Sequence, residues 1–408
     1  MNVPKLRFKD NNGNDYPQWE KKKLEKLVSI YDGTHQTPHY VDNGIKFVSV
    51  ENIKNLYASN KFILQEAFSK EFKNIPDLND ILMTRIGDVG TATLVTKNEP
   101  LAYYVSLALL KQKKEIFMPF LLQYIASNPF QKELWRRTLH IAFPKKINKN
   151  EIGKCFINLP ISTEQNKIAK FLSTVDKKIS NLEDIITTLE KQKKGLLQQI
   201  FNQGIRFKDE NGNNYPDWEK KKLGDITQSQ GGTALEKYSN TKGLYKFISI
   251  GNYSTNSTYL DNGARIDLND KTKKQLLNKN DLVMILNDKT SSGNIIGRTL
   301  LIDKDNTYIY NQRSQRLICN TKIIIPPFLY FLLNSDFRKN IRKKIQGATQ
   351  IYINYSTIEE MYLNIPCLKE QTKIADFLSA FDRKIDNQKA QLEHWKQIKK
   401  GLLQQMFV

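Results

Sequence analysis

An internal repeat constrains this chain more than any other feature. Arg7-Phe8-Lys9-Asp10 leads through Asn12-Gly13-Asn14, Tyr16-Pro17 and Trp19-Glu20 to Lys21-Lys22-Lys23-Leu24. The same string returns as Arg206-Phe207-Lys208-Asp209, Asn211-Gly212-Asn213, Tyr215-Pro216, Trp218-Glu219 and Lys220-Lys221-Lys222-Leu223. Further on, Glu164-Gln165 opens a segment that ends Lys194-Gly195-Leu196-Leu197-Gln198-Gln199, and Glu370-Gln371 opens one that ends Lys400-Gly401-Leu402-Leu403-Gln404-Gln405. Between these anchors each half has drifted almost beyond recognition. Identical supports around divergent middles predict one partner met twice and two different targets.

The faint echoes between the middles keep their order. Phe247-Ile248-Ser249-Ile250 answers Phe47-Val48-Ser49-Val50, with Asn252 answering Asn52. Asn280-Asp281-Leu282-Val283-Met284 answers Asn79-Asp80-Ile81-Leu82-Met83, and Pro327-Phe328-Leu329-Tyr330-Phe331 answers Pro119-Phe120-Leu121-Leu122-Gln123. The first two read as strands and Phe120–Ile125 as a helix. The fold expected is mixed α/β, duplicated, with two similar domains separated by two long helices. The boundaries expected are 1–155 for an N-terminal unit and first domain, 156–203 for the first helix, 204–361 for the second unit and domain, and 362–408 for the second helix. The turn at Asn11-Asn12-Gly13-Asn14 is expected to join short strands.

The helical blocks carry a heptad seam. Apolar residues fall at Ile168, Leu172, Val175, Ile179, Leu182, Ile186 and Leu189, skip Lys193, and resume at Leu196 and Ile200. The second copy gives Ile374, Leu378, Phe381, Ile385, Leu392, Trp395, Leu402 and Met406, with Gln388 and Lys399 interrupting. A helix of roughly 38 residues spans about 57 Å, which makes it a spacer. Connectivity predicts an antiparallel pair with Leu172 near Leu402, Ile179 near Trp395 and Leu182 near Leu392. In that register Lys399 faces Val175 and Lys193 faces Phe381.

Charge narrows the function. Lys and Arg number 63 against 42 Asp and Glu, a net +21, so a polyanion is the natural partner. No apolar run approaches the length of a membrane span, and Lys5, Arg7 and Lys9 crowd the start where a signal peptide would be apolar. Cys155, Cys319 and Cys367 have no ligand spacing and read as small apolar residues in a reducing cytoplasm.

Catalytic motifs are weak. Ile325-Pro326-Pro327-Phe328 has the outline of an adenine methyltransferase loop, but Ile325 stands where a polar residue must hold the amino group. A helix start with Pro in its first turn explains it better, as it does Met118-Pro119-Phe120. Ile86-Gly87-Asp88-Val89-Gly90 and Ser291-Ser292-Gly293 to Gly297 lack the strand–GxGxxG–helix context of a nucleotide site and read as loop turns. His35 and His39 share a loop with Gly33 and Pro38 and have no third ligand nearby, so neither a metal site nor a catalytic role is expected. Candidate DNA contacts are Arg136, Arg137, Lys145, Lys146, Gln312, Arg313, Arg316, Arg338, Arg342, Lys343, Lys344 and Gln350. Arg pairs bidentately with guanine and Gln with adenine, whereas most basic side chains meet phosphates. At the helix ends Lys194, Gly195, Gln198, Gln199, Lys400, Gly401, Gln404 and Gln405 are candidate partner contacts, because a seam requires only apolar type and these polar positions are kept identical.

The ordered, duplicated set of Arg-Phe…Trp-Glu…Leu, Asn-Asp-[Ile/Leu]-[Leu/Val]-Met, Leu159-Pro160…Glu164-Gln165 and Ile365-Pro366…Glu370-Gln371 resembles the specificity subunit of a type I restriction–modification system over essentially the whole chain. The resemblance implies two target-recognition domains on an antiparallel helical spacer, each reading half of a split, asymmetric double-stranded DNA site. It implies two modification subunits that use S-adenosylmethionine to methylate adenine N6, and restriction subunits that use ATP and Mg²⁺, with no cofactor in this chain. One departure is a second helix ending at Phe407-Val408 without a long closing tail, so closure of the repeat is expected from the N-terminal unit docking near that end. The alternatives are a self-contained DNA-modifying enzyme, which lacks a motif, and a coiled-coil nucleic-acid scaffold, which gives no reason for two divergent middles.

Overall fold

The computed structural model describes residues 4–407. Val408, named in the expectation about the second helix's end, lies outside the described residues. Contacts divide the chain into two units, one holding the residues up to Asp184 and from Lys389 onward, the other Ile185–Gln388.

In the first unit the N-terminal turn joins a single antiparallel bridge, Lys9 to Asp15, with Asp10 N–H donating to Asn14 O at 2.8 Å, and a side chain braces it. Asp10 Oδ1 accepts the backbone N–H groups of Asn12 and Asn14, each at 2.8 Å, and Gly13 takes the positive φ that an L side chain resists. The lysine run that follows forms a strand, Glu20–Lys23, antiparallel to Phe156–Leu159. Lys21 lies over the Phe156 ring.

The first domain holds a four-stranded antiparallel sheet in the order Val28–Asp32, Leu107–Gln112, Ile81–Thr84, Ala92–Leu94. A three-stranded sheet places Ile45–Val48 between Phe62–Ile63, antiparallel, and Leu101–Tyr103, parallel. The apolar strand Ile81-Leu82-Met83 is wholly buried because each of its faces has a core. Ile81 and Met83 join Leu110, Phe120 and Ile168 on one side, while Leu82 joins Tyr103, Leu107 and Leu109 on the other. Strand Ile45–Val48 stops at Ser49, which caps a short turn, and Asn52 Oδ1 returns to accept the Ser49 N–H at 3.1 Å. That reciprocal cap recurs at Ser249 and Asn252 and accounts for the matched asparagines.

The second unit repeats this topology. Its four strands run Thr227–Gly231, Ser314–Cys319, Leu282–Ile285, Thr299–Leu301, and its three run Arg265–Ile266, Tyr245–Ile248, Tyr308–Tyr310. Leu282 and Met284 enter one core, Val283 and Ile285 the other. Helices Met118–Ile125 and Pro326–Leu333 begin at prolines, so the Pro-Pro-Phe stretch is a helix start.

The long helices run Ser162–Phe201 and Leu368–Met406, and each contributes one stretch to each unit. They pack antiparallel. In the first unit Lys399 meets Asp176 and Lys396 meets Glu183; in the second Lys193 meets Asp382. The expected closure is present in the first unit. Leu6 N–H donates to Gln405 O at 3.0 Å, and buried Phe407 lies against Trp19, Phe120 and Tyr124. In the second unit Ile205 N–H donates to Gln199 O at 3.0 Å, and Phe201 packs on Trp218 and Phe328.

Candidate nucleic-acid interface and docking surface

The identical anchors are structural. Glu164, fully buried, accepts Arg7 Nε at 3.0 Å, an Arg7 terminal nitrogen at 2.8 Å and Trp19 Nε1 at 2.9 Å. Glu370 accepts the same three donors from Arg206 and Trp218. A buried carboxylate this fully paired fixes the N-terminal unit to the helix start, and its bond raises the Arg7 pKa above the ordinary value. The adjacent glutamines tie each helix to its domain. Gln165 Oε1 accepts the Phe117 N–H at 2.7 Å, and Gln371 Oε1 the Ile325 N–H at 2.9 Å. Duplication is therefore retained at these positions by fold, leaving the loops between the sheets free to differ.

In the first domain the candidate basic residues surround one loop. Leu139 N–H donates to Lys146 O, Gly87 N–H to Lys145 O and Ile147 N–H to Arg85 O, which pins the base of the 139–146 loop. Lys145 and Lys146 are exposed there without an ion-pair partner among the described residues. Arg136, with a side chain 69% exposed, meets Glu133 at 3.4 Å. Arg137 is held differently. It lies between Glu133 and Glu151 at 3.5 and 3.4 Å, so its charge is spent within the fold. His35 and His39 sit in the loop after Val28–Asp32, not on a helix.

In the second domain Arg313 and Gln350, distant in sequence, line one cavity of about 230 Å³ with Asn287, Lys289 and Tyr352. Gln312 is exposed on the adjoining turn, and Lys343 and Lys344 are exposed beyond the helix Phe337–Arg342. Arg316 and Arg338 are placed where a DNA contact is poorly served. Arg316 pairs with buried Asp281 at 2.7 Å inside the sheet. Arg338 donates to the carbonyls of Ile296, Gly293 and Asn294, and Arg342 to that of Ser292. Burial, with Arg298 and Arg342 nearby, draws the Arg338 guanidinium down to about 10. These arginines clamp the 292–296 loop beside the cavity. Asn287, Lys289 and Tyr352 were not singled out from sequence. The signal was the extra length between Met284 and Gly297 relative to Met83 and Gly90.

At the helix ends Lys194, Gln198, Gln199, Lys400, Gln404 and Gln405 are exposed. A Cβ placed on Gly195 or Gly401 would meet nothing within 4 Å. Neither glycine is therefore required by packing inside the chain, although glycine in a helix interior costs roughly 0.5–1 kcal/mol against alanine. Cys155 is buried and Cys319 and Cys367 half-buried, all free. Among the described residues no helix is long and apolar enough to cross a membrane.

Fold and surfaces together define a class: a duplicated, strongly basic α/β protein on antiparallel helices, each copy presenting different loops on one frame. The description "Type I restriction modification DNA specificity domain" fits residues 16–191 and again 215–395, and the chain belongs to that family. Its role is DNA sequence recognition within a type I restriction–modification system. The chain is 27% identical to the type I restriction enzyme MjaVIII specificity subunit of Methanocaldococcus jannaschii, over 97% of this chain and 94% of that one. The crystal structure of a type I system S subunit from M. genitalium shares the fold, with TM-score 0.62 at 16% identity, covering 100% and 99% of the two chains. A chain from a structure concerning complex assembly and conformational transition of the type I system matches with TM-score 0.55 at 13% identity, covering 96% and 98%.

Proposed function

We propose that each α/β domain reads one half of a split, asymmetric double-stranded DNA site, and that the paired helices set the number of unread base pairs between the halves. The observation that carries this reading is the pairing of one repeated frame with two different basic loop sets, on a chain of net charge +21. In this reading Arg136, Lys145 and Lys146 in the first domain, and Arg313, Gln312 and Gln350 in the second, contact the DNA, which their exposure or their place on the cavity of about 230 Å³ supports. Lys343, Lys344 and Arg342 add phosphate attraction. The chain performs no chemistry itself. Two modification subunits dock on the exposed Lys-Gly-Leu-Leu-Gln-Gln helix ends and supply S-adenosylmethionine-dependent adenine N6 methylation on a flipped base. Restriction subunits supply ATP- and Mg²⁺-dependent cleavage.

Mapping of modified adenines in cells expressing this chain with its modification subunits tests the proposal. The expected result is one bipartite motif with a fixed gap. Replacing residues 28–155 by those of another family member should alter one half-site only. Methyl transfer by the purified chain alone, or equal binding to RNA and to unrelated DNA, would overturn it.

A further inference from the structure

The first domain exposes an apolar tip inside its most basic loop. Ile141 is 100% exposed and Phe143 104% exposed, while Trp135, alongside, is 66% exposed with the His140 ring tilted against it, centroids 4.7 Å apart. The tip rises from a fixed base, because three backbone hydrogen bonds hold residues 139, 145 and 147. Leu139-His140-Ile141-Ala142-Phe143-Pro144-Lys145-Lys146 contains no carboxylate, and Arg136 stands just before it.

We propose that Phe143, supported by Ile141, inserts as a wedge between adjacent base pairs of the half-site bound by the first domain. This rests on the reading that the domain binds DNA. Two observations select DNA as the occupant. The tip is followed by two cations without ion-pair partners among the described residues, Lys145 and Lys146, which would grip the phosphates beside the inserted ring. The apolar area is also too small for protein docking: an aromatic side chain buries about 150–250 Å², whereas a stable protein interface takes roughly 800 Å² per partner. Wedging aromatic and aliphatic side chains between base steps unstack and kink a duplex. The equivalent loop of the second domain, 345–352, carries Gln350 beside Arg313 instead, so one loop position serves unstacking in one domain and hydrogen-bonded contact in the other.

The test uses the full chain assembled with its modification subunits, and duplexes carrying the mapped site with 2-aminopurine at successive half-site positions other than the methylated adenine. Wild type should raise fluorescence several-fold at one step. Phe143→Ala should abolish that rise and weaken specific binding by ~10–100-fold, the usual worth of one aromatic–base contact. Its binding to random duplex should stay within about twofold, with an unchanged salt slope, because the phosphate contacts remain. Phe143→Leu should retain part of the rise, which separates wedging from a general loss of folding. A wild-type rise or wild-type specific affinity in Phe143→Ala overturns the wedge. So does a variant that loses the modification subunits but not DNA, which would make the tip a protein contact. Failure of wild type to distinguish the site from random duplex would instead sink the DNA reading beneath it.

Discussion

Lys399 on the second long helix forms an ion pair with Asp176 on the first, at 2.5 Å between Nζ and Oδ1. Gln123 Nε2 donates to the other Asp176 oxygen at 2.7 Å. The equivalent positions of the repeat, Lys193 and Asp382, make the same ion pair in the second unit, where Lys193 lies over the Phe331 ring and phenylalanine replaces the glutamine. A lysine in a heptad seam is costly only if it stays unpaired. Here each lies one position along from the apolar residue expected to face it, Val175 or Phe381, and meets an acid.

Removing either partner of the Lys399–Asp176 pair should destabilise the chain by about 1–2 kcal/mol, between the values for exposed and buried pairs, since both side chains are half-buried. A double-mutant cycle with Lys399→Met and Asp176→Asn, followed by urea unfolding, should show a coupling energy that falls with added salt. No coupling between these two substitutions would mean that the pair does not hold the seam.

The same register predicts a covalent link. Leu182→Cys with Leu392→Cys should crosslink in the folded chain, because Glu183 and Lys396 beside them lie 3.1 Å apart. Leu182→Cys with Leu402→Cys should not, being displaced by roughly 15 Å along the helix. Non-reducing gel mobility before and after denaturation separates the two cases.

Gly195 and Gly401 should behave oppositely in the free chain and in the complex. Gly195→Ala should raise stability by roughly 0.5–1 kcal/mol, since the added Cβ meets open space. The same methyl group should weaken assembly with a modification subunit if that partner approaches the helix backbone closely. Thermal unfolding and analytical ultracentrifugation read the two effects. Unchanged assembly in both glycine variants would remove the docking role from these positions.

Stability should fall in alkali. Burial pushes the Cys155 and Cys319 thiols and the Tyr124 hydroxyl up to about 12, and raises Tyr253 as well. Above pH ~9 the unfolded chain loses these protons while the folded chain keeps them, so the unfolded state binds fewer protons and is favoured. Their contribution is therefore complete below pH ~9 and declines as pH rises toward 12. Urea midpoints at pH 8, 9 and 10 should decrease in that order, and native Cys155 should resist alkylation at pH 8.

Much of this organisation is legible from local pattern. Ile81-Leu82-Met83 declares a doubly buried strand, and the four-and-three steps from Ile168 to Leu189 declare a seam whose antiparallel direction follows from connectivity. Charge allocation is not local. Arg137, Arg316 and Arg338 look the same in sequence as Arg136 and Arg313, yet their partners are Glu151, Asp281 and the Gly293 carbonyl, the last of these 45 positions away. Composition would bury the run from Leu139 to Phe143. Only the fold shows Leu139, Ile141 and Phe143 exposed.

Arg338 gives the sharpest separation between holding and reading. Its guanidinium fastens three carbonyls of the loop beside Arg313 and Gln350, and Arg298 beside it has no carboxylate partner among the described residues. Arg338→Ala should strip this donor from the Gly293 and Ile296 carbonyls, leave Asn294 O only the longer Arg298 Nε contact at 3.4 Å, and free the 292–296 loop, at a cost of about 2–3 kcal/mol. Limited proteolysis should then cut near Lys289, which the intact clamp protects. Recognition of the half-site assigned to the second domain should relax, while the first stays unchanged. Arg313→Ala should have the complementary profile, with stability nearly intact and only that half-site altered. If Arg338→Ala left the loop protected and weakened binding equally at both half-sites, Arg338 would be a phosphate contact rather than a clamp.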